Sequence, residues 1–504
     1  MIGIDEHAFE NCRNLISVTI PASVTSFGSS AFNNCNSLTA VHISDIAAWC
    51  SISFGSANAN PLCYAQNLYL NGELLQDLII PESVTSIGSY AFYKCKSLTS
   101  ITIPEGVTSI GSSAFENCKS LTAITIPKGV TSIESNTFYN CKSLTAITIP
   151  KGVTSIGNDA FSGCKNLHMV INLSSLDIQK GRSDNGYVAY YASRVVNADG
   201  VIGNFYFNTE EGQHYLIYYT GNETALTLPE DYNGDDYQIG EMVFVDNEDL
   251  VSVEIPQTVG TIGKSAFAGC KNLATVTLAR GVMTIDDNAF ENCTSLASIV
   301  IPQNMTVIGN SAFAGCSRLV SVEFKEGVES IGNNAFENCT SLTSLSFPES
   351  LTTIGEKTFG GCSALTNLVC SANIESYGDG AFDACTAIET LIVMGSVMPT
   401  IPSDKLTSIT LFSPIPLETN EFANKVYRNA TVYVPEGSLE RYQTANVWKN
   451  FWTIKEFDPT SIDNIAIDAN ESPVYNMKGE RISCGRKELQ KGIYIQNGKK
   501  FVVK

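Results

Sequence analysis

The sequence predicts an elongated solenoid of short parallel β-strands, with two β-rich insertions and a small β module near its C-terminal end. Three observations support this prediction. A phenylalanine recurs every 23 residues, a cysteine follows it by three positions, and an alternating Ile-x-Ile-Pro segment follows the cysteine. A fixed period in this range indicates repeats that are too small to bury their own apolar face and therefore stack on their neighbours.

The recurring phenylalanines define the repeats. Ten of the twelve steps between them are 23 residues long, and the other two, of 60 and 83 residues, each contain an insertion. The phenylalanines are Phe9, Phe32, Phe92, Phe115, Phe138, Phe161, Phe244, Phe267, Phe290, Phe313, Phe336, Phe359 and Phe382. The repeats therefore occupy residues 1–43, 81–171 and 239–395, separated by insertions at 44–80 and 172–238.

One repeat shows the local pattern. Ile124 and Ile126 alternate with small polar residues, as in a strand with one buried face, so both isoleucines should point into the core. Pro127 ends this strand because it has no N–H for the next ladder hydrogen bond. We expect a short helical or 3₁₀ segment to begin at Ala114, and we expect Gly111 to allow a turn with positive φ.

Twelve of the 16 cysteines share one position of the repeat. They are Cys12, Cys35, Cys95, Cys118, Cys141, Cys164, Cys270, Cys293, Cys316, Cys339, Cys362 and Cys385. Equivalent Cβ atoms on neighbouring parallel strands lie about 4.8 Å apart and point the same way, whereas a disulfide needs facing Cβ atoms about 3.8 Å apart. We therefore expect a structural ladder of buried free thiols, with disulfides as the alternative. Cys50 and Cys63 share the first insertion and could pair.

The pattern A-F-x-x-C-x-x-L-x-x-I-x-I-P-x-x-V-x-x-I-G closely resembles that of the BspA-like leucine-rich repeat family of bacterial surface proteins. The resemblance covers roughly residues 1–395 outside the insertions, and the Phe, Cys, Leu, Pro, Val and Ile positions recur together. It implies a leucine-rich-repeat-like solenoid that is right-handed and curved. It also implies adhesion to extracellular matrix proteins or to other cells.

Both insertions show strand signals. In residues 44–80, Asn71-Gly72 lies between two apolar runs and predicts a hairpin with a type I′ turn. Residues 172–238 are rich in aromatic side chains, which either fill the core of a small β subdomain or form a binding surface. The candidate binding residues are Tyr187, Tyr190, Tyr191, Tyr206, Tyr218 and Tyr219.

The C-terminal part departs from the repeat. Residues 396–457 are predicted to cap the last repeat with a strand, a helix and an aromatic lid around Trp448. Residues 458–504 read as a polar linker and a β module in which Asn497-Gly498 marks another hairpin. This tail is similar to the C-terminal sorting modules of Bacteroidetes proteins exported by the type IX route, which implies export followed by surface attachment or release.

Charge and hydropathy restrict the partners. The chain has 504 residues, 44% of them apolar, with a net charge of −20 and a pI of about 4.6. This charge disfavours nucleic acid and anionic membranes, and no apolar run is long enough to predict a membrane span. Ile4 already lies in repeat register and no signal peptide precedes it, so we expect a mature extracellular chain whose leader is missing, with a cytosolic protein as the alternative.

Searches for catalytic and metal-binding motifs find no match. No G-x-S-x-G or C-x-x-C motif occurs, and residues 231–242 depart from a calcium loop at its sixth and twelfth positions. His7, His42, His168 and His214 have no evident triad partners in the sequence. We therefore predict a protein that is not an enzyme and that has no metal or other cofactor.

The outward-facing strand positions carry mostly Ser, Thr and Ala, and few of the aromatic and Arg anchors that are typical of binding surfaces. The prediction is a cell-surface or secreted scaffold that binds extracellular or host proteins through the solenoid face, the insertions or both. The alternative is glycan binding through the tyrosines of residues 172–238. Ice or surface templating is disfavoured because Glu254 and Glu323 interrupt the regular Thr face.

Overall fold

The computed structural model describes residues 2–459 and four strands nearer the C-terminus, Val474–Asn476, Arg481–Ile482, Gly492–Gln496 and Lys499–Val503. Within these residues the predicted solenoid of parallel strands is confirmed. The chain divides into two compact units, Met1–Val201 and Ile202–Lys504.

Each repeat contributes a long strand to one sheet, a short strand to a second sheet, and a turn segment that carries the phenylalanine and the cysteine. In one repeat the long strand is Ser298–Ile301 and the short strand is Val307–Ile308. Ile299 and Ile301 are buried while Ser298 and Val300 are exposed, as the period of two in a strand requires. The V-x-x-I segment of the repeat, which the alternation pattern did not predict to be a strand, therefore forms the short strand.

In the first unit, successive repeats pair in parallel through both kinds of strand. The long strands are Ser17–Ile20, Ala40–Ile43, Leu68–Leu70, Asp77–Ile79, Ser100–Thr102, Ala123–Ile124, Ala146–Ile149, Met169–Asn172 and Arg194–Asn197. The short strands are Ile2–Ile4, Val24–Phe27, Ser53–Phe54, Ser86–Ile87, Ser109–Ile110, Ser132–Ile133 and Ser155–Ile156. The helical segments are Ile46–Cys50, Ala57–Ala59, Leu62–Ala65 and Asn185–Tyr187.

In the second unit, the long strands form one continuous sheet. They are Ala225–Thr227, Ser252–Ile255, Thr275–Leu278, Ser298–Ile301, Ser321–Phe324, Ser344–Ser346, Asn367–Cys370, Thr390–Val393, Ser408–Leu411, Thr431–Pro435 and Thr453–Phe457. The second sheet contains Phe205–Glu210, Gln213–Tyr219, Tyr237–Ile239, Val259–Ile262, Thr284–Ile285, Val307–Ile308, Ser330–Ile331, Thr353–Ile354 and Ser376–Tyr377. The strand Gly200–Ile202 spans the boundary between the two units in the chain.

The phenylalanines stack ring on ring along each unit. From Phe92 to Phe161 the ring centroids of neighbouring repeats are 5.4, 5.7 and 5.1 Å apart. From Phe244 to Phe382 the distances lie between 4.7 and 5.5 Å, with interplanar angles of 10° or less. Each of these two runs of rings forms an aromatic column, a packing that stabilises the coils beyond the burial of area alone.

The cysteines form a second column beside the rings. The thiol of Cys118 donates to the Phe92 carbonyl of the preceding repeat at 3.1 Å, and nine other repeats make the same bond at 3.0 to 3.4 Å. All the cysteines in the described part of the chain are free, including Cys50 and Cys63, which the sequence analysis considered a candidate pair. Eleven of the twelve at the shared position are buried, whereas Cys12 is exposed.

Burial changes the acidity of these thiols. It raises the pKa of Cys164, Cys270 and Cys316 to about 12 in each case, because the thiolate loses its hydration inside the core. The thiols therefore stay protonated at neutral pH and remain hydrogen-bond donors to the carbonyls of the preceding coil. A buried, protonated thiol behaves as a small apolar residue and not as a nucleophile or metal ligand.

The turn segment differs from the prediction in two ways. It consists of consecutive turns and not of a helix, because Ser113 and Asn117, on either side of Phe115, take left-handed φ values of 57° and 61°. Gly111 has no positive φ, so the expected reason for this glycine was wrong. A Cβ atom at Gly111 would lie 2.4 Å from the backbone nitrogen of Ser89, so the glycine allows the neighbouring coil to approach closely.

The first insertion contains the hairpin that its Asn-Gly pair predicts. The strands Leu68–Leu70 and Glu73–Leu74 pair antiparallel, and Asn71 and Gly72 both have positive φ, as a type I′ turn requires. The insertion also carries the helix Ile46–Cys50, whose buried Trp49 donates its indole N–H to the carbonyl of Ala91 at 2.9 Å.

The second insertion contributes strands to the sheets of the repeats. Arg194–Asn197 pairs with Met169–Asn172 in the first unit, and Ala225–Thr227 pairs with Ser252–Ile255 in the second. Buried aromatic residues of the second unit, such as Phe207, belong to the same core as the repeats. The expectation that these aromatic side chains fill a core of their own was therefore wrong.

The last coils are extended beyond the regular repeats. Helices Asn424–Asn429 and Leu439–Thr444 and the 3₁₀ turn Trp448–Asn450 accompany the final three long strands. Trp448 and Phe451 are buried, as an aromatic lid requires, but Trp452 is 74% exposed.

Near the C-terminus, Val474–Asn476 pairs antiparallel with both Arg481–Ile482 and Gly492–Gln496. Gly492–Gln496 also pairs antiparallel with Lys499–Val503. The predicted turn at residues 497–498 and most of the predicted linker lie outside the described residues.

Candidate functional site

The outward positions of the long strands form a regular row in each unit. Its members are exposed or half-buried except Ile171, Val369 and Ile392. The positions predicted from the sequence are Ser17, Thr19, Ala40, His42, Ser100, Thr102, Ala123, Thr125, Ala146, Thr148, Met169, Ile171, Ser252, Glu254, Thr275, Thr277, Ser298, Val300, Ser321, Glu323, Ser344, Ser346, Asn367, Val369, Thr390 and Ile392.

The structure adds members that sequence reasoning missed. Asp77 pairs with Ser100 and Ile79 with Thr102, so both belong to this row although they lie in the predicted first insertion. The sequence held a usable signal, because Asp77 lies one period before Ser100 and a proline ends its strand. Hydrogen bonds from the hydroxyls of Ser100 and Thr99, at 2.6 and 3.0 Å, lower the pKa of Asp77 below its usual value. Ile79 is 75% exposed.

Threonines beside this row donate hydrogen bonds to backbone carbonyls. The Thr122 hydroxyl donates to the Thr99 carbonyl of the preceding repeat at 3.1 Å, and Thr366 donates to Thr343 in the same way. These bonds give the threonine hydroxyls a partner that water would otherwise supply. The stacking of the coils therefore explains why Thr recurs here, and its recurrence does not indicate a ligand.

Part of the outward row is covered in the second unit. Val369 and Ile392 are 4% and 5% exposed and pack with Met394 and Phe412. Phe412 in turn meets Phe457 with ring centroids 5.2 Å apart. The row is therefore available to a partner along the regular repeats but not at these last coils.

The six candidate tyrosines lie in two groups, one in each unit. In the first unit, the ring of Tyr190 is 45% exposed and meets Tyr187 and Tyr191 edge-on at 5.5 and 4.9 Å. In the second unit, Tyr206 and Tyr218 are half-buried with centroids 6.0 Å apart.

Tyr219 is buried at 7% exposure and packs against the core ring of Phe244. It therefore presents no ring face to a ligand, and the structure removes it from the candidate binding residues. Tyr190 is the most exposed of the remaining five.

His214 has a hydroxyl and a carboxylate as neighbours. It lies in the strand Gln213–Tyr219, opposite Thr209 of the antiparallel strand Phe205–Glu210, with 2.9 Å between the Thr209 hydroxyl and Nδ1, and its Nε2 is 3.5 Å from a carboxylate oxygen of Asp235. The order hydroxyl, imidazole, carboxylate is that of a catalytic triad. The Asp235 side chain is 72% exposed, however, so its contact with His214 is solvated and weak.

The described residues offer neither a side-chain cluster for metal binding nor a helix for membrane crossing. They contain no group of three or more His, Cys, Asp or Glu side chains placed to hold a metal ion. They also contain no helix that is long and apolar enough to cross a membrane.

Comparison with known proteins places the repeats in one family. The family model described as "BspA type Leucine rich repeat region (6 copies)" matches residues 1–59, 65–181, 237–330 and 283–405, more than half of the chain. A comparison with curated proteins found no match.

Solved structures of similar chains include bacterial leucine-rich repeat proteins. The TpLRR protein of T. pallidum is 31% identical over 37% of this chain and 88% of its own, with a TM-score of 0.34. A leucine rich cell surface protein of Faecalibacterium prausnitzii is 32% identical over 73% of this chain and 82% of its own, with a TM-score of 0.28. A leucine-rich repeat protein of Bacteroides ovatus is 24% identical over 76% and 92%, with a TM-score of 0.33.

Proposed function

Because the chain belongs to the BspA-type leucine-rich repeat family, we propose that it is a non-enzymatic scaffold at the cell surface or outside the cell. It binds proteins of the host or of neighbouring cells and so mediates adhesion. The observation that supports this proposal is the alignment of equivalent side chains in rows from coil to coil, which allows one partner to contact many repeats at once.

The outward row favours binding through many weak contacts, each of which contributes a small part of the affinity. A standard protein interface covers about 800 Å² on each partner, and strands about 4.8 Å apart reach that area over several coils. The exposed Ser, Thr and Ala side chains form a flat surface that discriminates little between partners. Individual anchors such as Ile79 should therefore dominate the affinity.

Residues 458–504 support export. Their similarity to type IX sorting modules of Bacteroidetes leads us to include secretion, with surface attachment or release, in the proposed function. In a bacterium that uses this route, and with a signal peptide fused before Met1, removal of residues 458–504 should leave the chain inside the cell, while the intact chain should be degraded by protease added to whole cells. Retention of the intact chain in the cytosol would contradict the proposal.

Binding can be tested with the purified full chain. We expect it to retain at least one protein from a panel of extracellular matrix and cell-surface proteins in biolayer interferometry, with affinity reduced by Ile79→Asp. The matched control is Val320→Asp, at a site that is 48% exposed in the second unit. Failure to bind any member of the panel, together with an intracellular location, would refute the adhesion function.

Glycan binding by the tyrosine group of the first unit is the alternative function. It is favoured by the exposed ring of Tyr190, held edge-on by Tyr187 and Tyr191, because a fixed aromatic face can stack on a sugar ring. On a glycan array, Tyr190→Ala should abolish any signal that depends on this group. Trp452→Ala, which removes a ring that is 74% exposed in the second unit, is the control.

A further inference from the structure

The turn segments of four consecutive repeats in the first unit carry a row of four lysines. Each lysine directly follows the buried cysteine of its repeat, and all four side chains are exposed. We call Lys96, Lys119, Lys142 and Lys165 the lysine row. In an acidic chain with a net charge of −20, such a concentration of positive charge requires a physical explanation.

The row is straight because the coils beneath it are fixed to one another. The backbone N–H of Asn117 donates to the Tyr139 carbonyl at 2.8 Å, and the N–H of Asn140 donates to the Ser162 carbonyl at the same distance. The thiol bonds and the phenylalanine stack hold the same coils in register. Successive lysines therefore lie one strand spacing apart, and the row is about 15 Å long.

The charge of this surface differs from that of the equivalent surface in the second unit. In the first unit, residues 93–97, 116–120, 139–143 and 162–166 contain five lysines and one acid, Glu116. The seven equivalent segments of the second unit, which begin at Val245 and end at Ala387, contain six acids and only Lys271 and Arg318 as basic residues. There, Lys271 is paired with Glu248 at 3.1 Å.

The lysine row has no such partners. Among the described residues, none of its four ammonium groups forms an ion pair. Like charges at this spacing repel one another, and an anionic ligand that spans the row would relieve the repulsion and release counterions. Other repeats carry uncharged residues at this position, such as Asn36 and Thr294, so the fold does not require lysine there.

We propose that the lysine row binds a linear acidic polysaccharide through its repeating carboxylate or sulfate groups. A row one residue wide fits a thread-like polymer, whereas a planar anionic membrane would also meet the acidic remainder of the chain. Tyr139 lies two turn positions before the cysteine of its repeat and, at 36% exposure, offers its ring to a sugar face. The hydroxyls of Ser97, Ser120 and Ser143 stand beside the lysines as hydrogen-bonding groups.

The test compares two variants of the full chain that carry the same net charge. The first changes all four lysines of the row to glutamine: Lys96→Gln, Lys119→Gln, Lys142→Gln and Lys165→Gln. The second makes the same change at four other exposed lysines: Lys128→Gln, Lys151→Gln, Lys271→Gln and Lys425→Gln. Both are measured against polygalacturonate and dextran sulfate, which separate carboxylate from sulfate recognition, and against neutral dextran, poly-glutamate, duplex DNA and phosphatidylserine vesicles. Circular dichroism melts verify folding.

We expect the wild-type chain to bind at least one acidic polysaccharide in low salt, with an affinity that falls as salt is added. The row variant should lose about tenfold or more in affinity, and the control variant should stay within about twofold of wild type. Equal losses in both variants would overturn the proposal, as would absence of binding to either acidic polysaccharide. Equal or tighter binding to poly-glutamate, DNA or vesicles would also overturn it. If the row variant unfolds, the double variant Lys119→Gln/Lys142→Gln, compared with Lys128→Gln/Lys151→Gln, decides between the outcomes by the same criterion.

Discussion

The role of the glycine that follows most of the short strands can be tested at Gly332. A Cβ atom there would lie 2.7 Å from the nitrogen of Asn310 and 2.8 Å from the carbonyl carbon of Gly309. Ordinary contacts between carbon and other heavy atoms are about 3.5–4.0 Å long, so the added methyl group would overlap both atoms by roughly 0.7 Å or more. Both are backbone atoms of the adjacent coil, which also accepts a 2.8 Å hydrogen bond from the Gly332 N–H at the Ile308 carbonyl.

We expect Gly332→Ala to lower the free energy of unfolding by about 1–3 kcal/mol, the usual cost of overpacking less the entropic benefit of replacing glycine. Gly106→Ala is the matched control. Its Cβ atom would lie 3.7 Å from the Glu82 carbonyl oxygen, an ordinary contact, so this variant should be neutral or more stable by up to about 1 kcal/mol.

A third variant separates close approach from backbone strain. If Gly332 were needed for a positive φ, asparagine would be better tolerated than alanine, because asparagine adopts left-handed φ more readily. If close approach is the reason, Gly332→Asn should be at least as destabilising as Gly332→Ala. Urea unfolding followed by circular dichroism measures all three variants. Equal stability of Gly332→Ala and the wild type, or a more stable Gly332→Asn, would refute the reasoning.

Substitutions at three further positions test the core and one half-buried carboxyl. Tyr377→Phe should leave stability unchanged or raise it by about 1 kcal/mol in urea unfolding, because the buried Tyr377 hydroxyl has no nitrogen or oxygen partner among the described residues and lies beside the Cys370 thiol, a weak hydrogen-bonding group; a loss above about 1 kcal/mol would contradict this. Cys316→Ala should cost about 1–2 kcal/mol and Cys316→Ser less, since a serine hydroxyl can still donate to the Phe290 carbonyl, which the thiol does at 3.2 Å; the reverse order would show that the sulfur acts only through its volume. Burial, and secondly the charge of Asp287, raise the pKa of Asp286 above 3.8, so its ionised form is disfavoured in the fold. Because the pKa of Asp286 is higher in the folded than in the unfolded chain, Asp286→Asn should be more stable than wild type at pH 7. This difference in the free energy of unfolding should shrink as pH falls through the raised pKa towards 3.8. A difference that is independent of pH would exclude the raised pKa as its cause.

Much of the solenoid could be predicted because the buried positions of the repeat are constrained together. Phe115 and Cys118 recur because their neighbours in adjacent coils stack on them or accept their hydrogen bonds, and any other residue would interrupt the column. The period therefore carries the information on which strands pair and in which register. The Asn71-Gly72 hairpin was predictable for a different reason, since few residues other than Asn and Gly readily adopt two consecutive positive φ values.

The parts that were missed depend on distances between coils, which local sequence signals do not contain. A glycine looks the same whether it serves a positive φ or a close approach, so Gly111 was assigned the wrong role. His214 and Asp235 are 21 residues apart in the chain and meet only because the strand Gln213–Tyr219 pairs in parallel with Tyr237–Ile239. Asp77 was detectable from its spacing to Ser100, but the aperiodic residues before it obscured the repeat.

The same constraint shows where the function of such a chain must be sought. Buried positions such as those of the phenylalanine and cysteine columns are fixed by the neighbouring coils, so they cannot vary to suit a partner. Exposed positions are free to vary, and a residue type repeated at one exposed position of successive coils forms a straight row of one chemistry. The outward strand row is small and polar because its residues suit strands, whereas the residue after the cysteine has no such structural preference. Four successive lysines at that free position are therefore better explained by a ligand than by the fold.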